Sequence, residues 1–190
     1  SLLIAHPSDT GQLAIISLNS SNGVSDVFLT ESSDGGQTWS EIRQVNSESP
    51  NSMEDLVWAD YNKKGDLAVS WRDRSNISNG KYRSSYNIRV WDYRVSDSTA
   101  DERWLTDTTI GYNSILDGSG NDFMNVQIAA DTIYAVWGDT RNGNLNIWFT
   151  NSPYGIMTIP MAQELSSSPT EIQIFPNPAS DFLQVRSEHP

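Results

Sequence analysis

Four short stretches carry the residue types that do chemistry. Glu54-Asp55 and Asn121-Asp122 stand at equivalent places just ahead of apolar runs, and Asp55 and Asp122 are the candidates for acid–base work. Two carboxyl groups facing one cavity can act on the two sides of a glycosidic bond. They can equally cap strand ends or hold ordered water. Trp71-Arg72-Asp73-Arg74 and Trp137-Gly138-Asp139-Thr140-Arg141 share a Trp-x-Asp core with arginine close behind. Arg72, Arg74 and Arg141, with Asp73 and Asp139 beside them, form a candidate ligand site, because a guanidinium pairs bidentately with a carboxylate. The alternative, favoured by the recurrence of the pattern, is that each Asp–Arg pair braces its own loop or a neighbouring unit.

Asp117-Gly118-Ser119-Gly120-Asn121-Asp122 is oxygen-rich and turned by glycine, so Asp117, Ser119, Asn121 and Asp122 are candidate calcium ligands. The stretch lacks EF-hand spacing and a bidentate Glu, and a plain turn is the preferred reading. The expectation is therefore no metal and no other cofactor. His6 and His189 lie far apart with no ligand spacing around them. Tyr82, Tyr86 and Tyr112 read as exposed loop aromatics that could stack on sugar rings or pack between structural units.

The elements that must position these residues come in three imperfect copies. Leu13-Ala14-Ile15-Ile16-Ser17 recurs as Leu67-Ala68-Val69-Ser70-Trp71 and as Ile133-Tyr134-Ala135-Val136-Trp137. Each copy is preceded by an apolar run and a turn: Leu2 to Ala5, Leu56 to Ala59, and Phe123 to Ala130. Each is followed, after a polar loop, by a second run: Asp26 to Thr30, Asn87 to Trp91, and Asn146 to Thr150. The order strand, tight turn, strand, loop, strand, turn, strand predicts an all-β chain built as about three β-propeller blades. The copies are spaced by roughly 54 and then roughly 66 residues, too uneven for a strict repeat. Three blades do not close a ring, so the reading is a fragment of a larger propeller, or one that a partner completes.

Composition narrows the partners. The formal net charge of −12 argues against nucleic acid, which needs a basic face. No stretch reaches the roughly 20 apolar residues of a membrane span. The chain opens on Ser1-Leu2-Leu3-Ile4-Ala5, which reads as a strand and not as a signal peptide. With no Cys, disulfides and thiolate sites are excluded, which is compatible with secretion without arguing for it.

Ser32-Ser33-Asp34-Gly35-Gly36-Gln37-Thr38-Trp39 fits Ser-x-Asp-x-Gly-x-Thr-Trp at every fixed position, namely Ser32, Asp34, Gly36, Thr38 and Trp39. The glycines allow a tight turn, Ser32 and Asp34 can accept the turn's own amides, and Trp39 is expected to re-enter apolar surroundings. The stretch resembles the Asp box, or BNR repeat, of sialidase-like β-propellers. The resemblance implies a structural role, with the box joining the third and fourth strands of a blade and lying away from the ligand face. The counterparts in the second and third copies, Tyr93 to Ser98 and Asn151 to Gly155, have lost the pattern. If the box joins strands three and four, it shares an end of the blade with the strand one–two turns. The acidic pairs and the Trp-x-Asp stretches then fall at the opposite end. In sialidases that end carries an Arg triad, an Asp acid/base and a Tyr–Glu pair. The Arg-Ile-Pro motif that holds the first of those arginines is absent here, and no Tyr–Glu pair can be assigned.

From Met161 the pattern stops. Residues 163–171 read as a Ser/Pro linker, after blades over 1–162. Residues 172–190 then place two alternating strands around Phe175-Pro176-Asn177-Pro178, with Asp181 following. This is similar to the opening of the type A C-terminal sorting domain of type IX secretion, which begins a β-sandwich-like domain. The resemblance implies a Bacteroidota protein, recognised by the secretion machinery and then released or held at the cell surface. The leading expectation is a secreted or surface β-propeller module that binds a glycan or other surface polymer. The alternatives are an exo-acting sialidase-like glycoside hydrolase with its main catalytic residues outside this stretch, and a non-catalytic adhesion or scaffold protein.

Overall fold

The computed structural model describes residues 1–21, 24–47, 53–74, 85–111, 123–153, 173–175 and 184–186. Among them the chain is all strand and turn, with no helix, and every strand pairing is antiparallel. Sheet 1 runs in the order β1 (Leu2–Ala5), β2 (Leu13–Ser21), β3 (Val24–Ser32), β4 (Arg43–Gln44). Sheet 2 runs β5 (Glu54–Tyr61), β6 (Leu67–Asp73), β7 (Ser85–Arg94), β8 (Thr99–Trp104), and a short β9 (Ile110–Gly111) also pairs with the start of β7. Sheet 3 comprises β10 (Met124–Ala129), β11 (Thr132–Asp139) and β12 (Asn146–Pro153). A two-stranded antiparallel sheet pairs β13 (Gln173–Phe175) with β14 (Gln184–Arg186).

The three copied runs are the second strands of the three sheets, β2, β6 and β11. Sheet 1 has four strands in sequence order, as the repeat predicts, and sheet 2 has the same four-strand path with β9 added beside the start of β7. Sheet 3 shows three among the described residues. Two boundaries differ from the sequence reading: Tyr93 and Arg94 still belong to β7, and Asn151 to Pro153 still belong to β12. In both places cross-strand bonding carries the strand into residues whose polarity suggested a turn.

Successive side chains point to opposite faces of a strand, so each sheet has two faces with separate partners. The forward face of sheet 1 (Ala14, Ile16, Val27, Leu29) meets the rear face of sheet 2 (Leu67, Val69, Trp71, Trp91) in one core. The forward face of sheet 2 (Ala68, Ile88, Val90) meets the rear face of sheet 3 (Val126, Ile133, Ala135, Trp137) in a second. Sheet 2 lies between the other two, and every residue of β6 is buried. Fully burying a side chain as large as Trp71 contributes about 2–3 kcal/mol, so these two seams carry most of the cohesion.

The turn Ser32–Trp39 joins β3 to β4. Ser32 Oγ donates to Asp34 Oδ1 (2.8 Å) and accepts from the Gly36 amide (2.9 Å). The Thr38 amide (2.9 Å) and hydroxyl (2.5 Å) both donate to the Asp34 carboxylate. Those bonds, the Thr38 hydroxyl foremost, hold Asp34 well below the usual carboxylate range, at about 2. Gly36 sits at φ 89°, where a side chain would be strained. The turn is docked on the β1–β2 turn, the Gly35 amide donating to the Gly11 carbonyl at 2.9 Å. Gly11 must be glycine for that approach, since a Cβ there would lie 2.9 Å from the Ser33 carbonyl oxygen. Trp39 departs from expectation. It folds back on its own turn, Nε1 donating to the Gly36 carbonyl (3.1 Å), and remains 38% exposed. In sheet 2 the matching join is made differently: the Val95 amide donates to Asp66, a buried carboxylate in the β5–β6 turn, at 2.9 Å.

Candidate functional site

The end of the sheets opposite those turns gathers the start of β5, the end of β6, the starts of β7, β10 and β12, and the end of β11. Antiparallel order alone brings Asp55, Arg72, Asp73, Arg74, Asp139 and Arg141 to this one end. In β5 the register shifts between Asp55 and Trp58, with Leu56 at φ 48°. This irregularity sets Asp55 opposite Arg72.

Asp55 is held by two arginines. Arg72 donates to it through Nε (2.5 Å) and Nη2 (2.8 Å), and Arg74 Nη2 lies 2.8 Å from its Oδ2. Both arginines are largely buried, whereas the Asp55 side chain keeps 22% of its surface. Asp73 is engaged from the neighbouring strand. It receives Arg89 Nη1 from the adjacent strand at 3.2 Å, and Arg89 Nη2 continues to Glu102 at 2.6 Å. Glu102 in turn accepts the Ser47 amide and hydroxyl, at 2.9 and 2.5 Å. The link from sheet 2 back to the end of sheet 1 is therefore polar.

Asp139 is wholly buried and fully engaged. It accepts Trp137 Nε1 (2.9 Å), the Arg141 amide (2.9 Å) and Arg141 Nε (2.9 Å). Arg141 Nη1 reaches Asp107, in the segment after β8, at 2.6 Å. Burial alone would lower the Arg141 pKa; hydrogen bonding to Asp139 and Asp107 outweighs it and holds the pKa above its ordinary value. The guanidinium also lies 4.0 Å from the centre of the Trp148 ring. Tyr86 ties the two halves together, with Arg72 over its ring at 5.5 Å and its hydroxyl donating to the Gly138 carbonyl at 3.3 Å.

Tyr86 corrects the sequence reading. It is not an exposed loop aromatic but a β7 residue with 1% exposure, because β7 begins at Ser85 and its first turn of side chains enters the core. Tyr82, Tyr112, the loop Asp117, Ser119, Asn121 and Asp122, and Pro176, Asn177, Pro178 and Asp181 lie outside the described residues, as does the Phe175 side chain. Among the described residues no group of three or more His, Asp or Glu could hold a metal. No helix there is long and apolar enough to cross a membrane.

Three participants were missed in the sequence: Arg89, Glu102 and Asp107. Arg89 and Glu102 could have been found from the β7–β8 pairing, which sets Trp91 opposite Glu102 and Arg89 opposite Trp104. Trp104 (49% exposed) and Phe123 (50% exposed) are the large aromatics presented at this end. Arg89 lies over the Trp104 ring at 5.6 Å. Chemically, this end offers arginines engaged by the chain's own carboxylates, an outward-facing Asp107, and two exposed aromatic rings. No protein-family model matches the chain, and no curated protein matches it significantly.

Proposed function

We propose that the chain is part of a secreted or cell-surface β-propeller of the sialidase-like kind. In this reading it is exported by the type IX machinery through its C-terminal segment. It binds a glycan or other surface polymer at the end of the sheets opposite the Asp box. The observation that carries the reading is the turn Ser32–Trp39. Its sequence matches the box at every fixed position, and its serine, aspartate and threonine bond to the turn itself as a structural box requires. The stack of antiparallel sheets in sequence order is compatible with blades. The antiparallel pairing of β13 with β14 on either side of Pro176-Asn177-Pro178 supports the sorting-domain resemblance.

Binding is favoured over glycoside hydrolysis by one specific feature. Both oxygens of Asp55 face guanidinium donors, and Arg72, Arg74 and Arg141 are held by carboxylates of the chain itself. A stack-and-hydrogen-bond mode on Trp104 and Phe123 suits a sugar ring better than an acid–base step does. A glycan array probed with the purified chain tests this. Retention on at least one glycan class, weakened by Trp104→Ala or Phe123→Ala, is expected. No retention on any glycan, beside capture of one outer-membrane protein, would replace the reading with a scaffold role. The export half is tested in a type IX-competent bacterium. Periplasmic retention of the precursor whether or not Phe175-Pro176-Asn177-Pro178 is intact would overturn it.

A further inference from the structure

The rear face of sheet 2 carries one row of side chains that runs from the dry core outward. Trp71 on β6 stands opposite Arg89 on β7, and Arg89 stands opposite Trp104 on β8. Residues directly opposite one another share a face, so the three side chains lie side by side. Their burial is graded. Trp71 is wholly buried, the Arg89 side chain keeps 19% of its surface, and Trp104 is exposed.

Two donors in this row have no acceptor among the described residues: the indole Nε1–H of Trp71 and the Nε–H of Arg89, both closed off from bulk solvent. An indole only donates, and a guanidinium offers five N–H groups and no acceptor, so neither residue can satisfy the other. The other arms of Arg89 are engaged, Nη1 with Asp73 at 3.2 Å and Nη2 with Glu102 at 2.6 Å. Buried donors in native proteins find a partner, ordered water included. Two such donors at one register of neighbouring strands call for a single oxygen that both can reach.

Charge and access decide which oxygen it is. Asp73 and Glu102 already set two carboxylates against one guanidinium. An anion added there would meet a local excess of negative charge with little solvent to screen it. The acceptor is therefore neutral. A hydroxyl of a polymer is excluded, because Trp71 presents no surface to one. Water meets both conditions. It accepts two hydrogen bonds, and its own hydrogens have an acceptor in the Asp73 carboxylate, two residues along the same face of β6. Three partners is the usual number for an internal water.

We propose that Trp71 Nε1 and Arg89 Nε hold one ordered water on the face of sheet 2 that meets sheet 1. Its role is to position. It holds the inner side of the guanidinium whose outer arms Asp73 and Glu102 hold, and so fixes Arg89 over the Trp104 ring. The site is independent of glycan binding and of export.

The test is magnetic-resonance transfer from water protons to the intact chain, isotope-labelled at tryptophan and arginine. Direct transfer is separated by its sign from chemical exchange. The Trp71 indole proton is assigned by its loss in Trp71→Phe or, should that variant not fold, by its contacts with Val69 on the same face of β6. The Arg89 Nε proton is assigned by its loss in Arg89→Lys, or by its contacts with the Trp104 ring. The expected result is direct transfer from a long-lived water to both protons, with neither resonance moved by added chloride or phosphate. Transfer to neither proton, or to one alone, overturns the shared water. A shift of either resonance that saturates with chloride or phosphate also overturns it, and makes the site an anion site instead.

Discussion

Arg72 grips Asp55 through two bonds, Nε to Oδ1 at 2.5 Å and Nη2 to Oδ2 at 2.8 Å, across neighbouring strands whose register sets the two residues opposite one another. Arg74 reaches the same carboxylate. One acidic side chain therefore organises two buried cations at the edge of the proposed binding end.

Removing that carboxylate should be costly. Breaking a buried ion pair by deleting one partner costs about 3–5 kcal/mol, and the partial exposure of Asp55 lowers the expectation to about 2–3 kcal/mol. For a chain of this length that corresponds to a fall in Tm of roughly 5–10 °C for Asp55→Ala. Arg72→Lys should lose a smaller part, since an ammonium cannot make the two-pronged contact. Thermal melts followed by circular dichroism check both. A melt of Asp55→Ala superimposable on the parent's would show that the pair contributes nothing.

Arg141 offers a comparison within a single side chain. Its partner Asp139 is wholly buried, while its other partner, Asp107, keeps 62% of its side-chain surface. Asp139→Ala should cost about 3–5 kcal/mol, because it removes the buried partner of Arg141 and leaves the Trp137 indole N–H without its acceptor. Asp107→Ala should cost under about 1 kcal/mol, as exposed pairs do. Denaturant midpoints of the two variants measure the difference, and equal losses would contradict the assignment.

The Ser32–Trp39 turn should leave a mark on acid stability. The pKa of Asp34 is about 2 in the folded chain against 3.8 for an unperturbed aspartate. Above the higher value the folded and unfolded states bind protons equally, and the stabilisation is complete. Between the two values the unfolded state takes up the proton first, so stability is lost as pH falls through that window. Unfolding midpoints taken from neutral pH down to the acid limit should fall less steeply for Asp34→Asn than for the parent in that interval.

Asp60 should behave in the opposite sense. Burial raises its pKa, although the Ile128 amide donates to it at 2.9 Å. In the interval between the ordinary and the raised value the folded state binds more protons, so its contribution to stability falls as pH rises. Asp60→Asn keeps an acceptor for the Ile128 amide and removes the charge. The variant should match or exceed the parent in Tm at neutral pH, and the gain should vanish in acid. A variant less stable than its parent at neutral pH would argue that the charge itself is needed there.

What the sequence made legible was local. The three second strands announce themselves because an apolar run bounded by turns needs only its own residues to be recognised. The Ser32–Trp39 turn was legible for the same reason, since its bonds stay within a few positions of Asp34. The polar joins between sheets were not. Arg103 in β8 donates to Ser152 and to the Pro153 carbonyl at 3.0 and 2.8 Å, and also pairs with Asp92. Nothing in the local sequence of Arg103 points to partners in β12. Asp73 shows the limit most sharply. Strand pairing gives it Arg89, sixteen positions away in sequence, which no local reading would select. Trp39 was misjudged for a similar reason, as the size of a side chain does not say whether the surface it finds is its own turn or a core.

The position of sheet 2 also governs how the molecule would yield to force. Among the described residues each apolar core joins two neighbouring sheets, so their cohesion is summed seam by seam. An outer sheet can peel away at the expense of one seam. The middle sheet cannot leave without breaking both. Under load the flanking sheets would part separately, and β6, the strand enclosed along its whole length, would be released last.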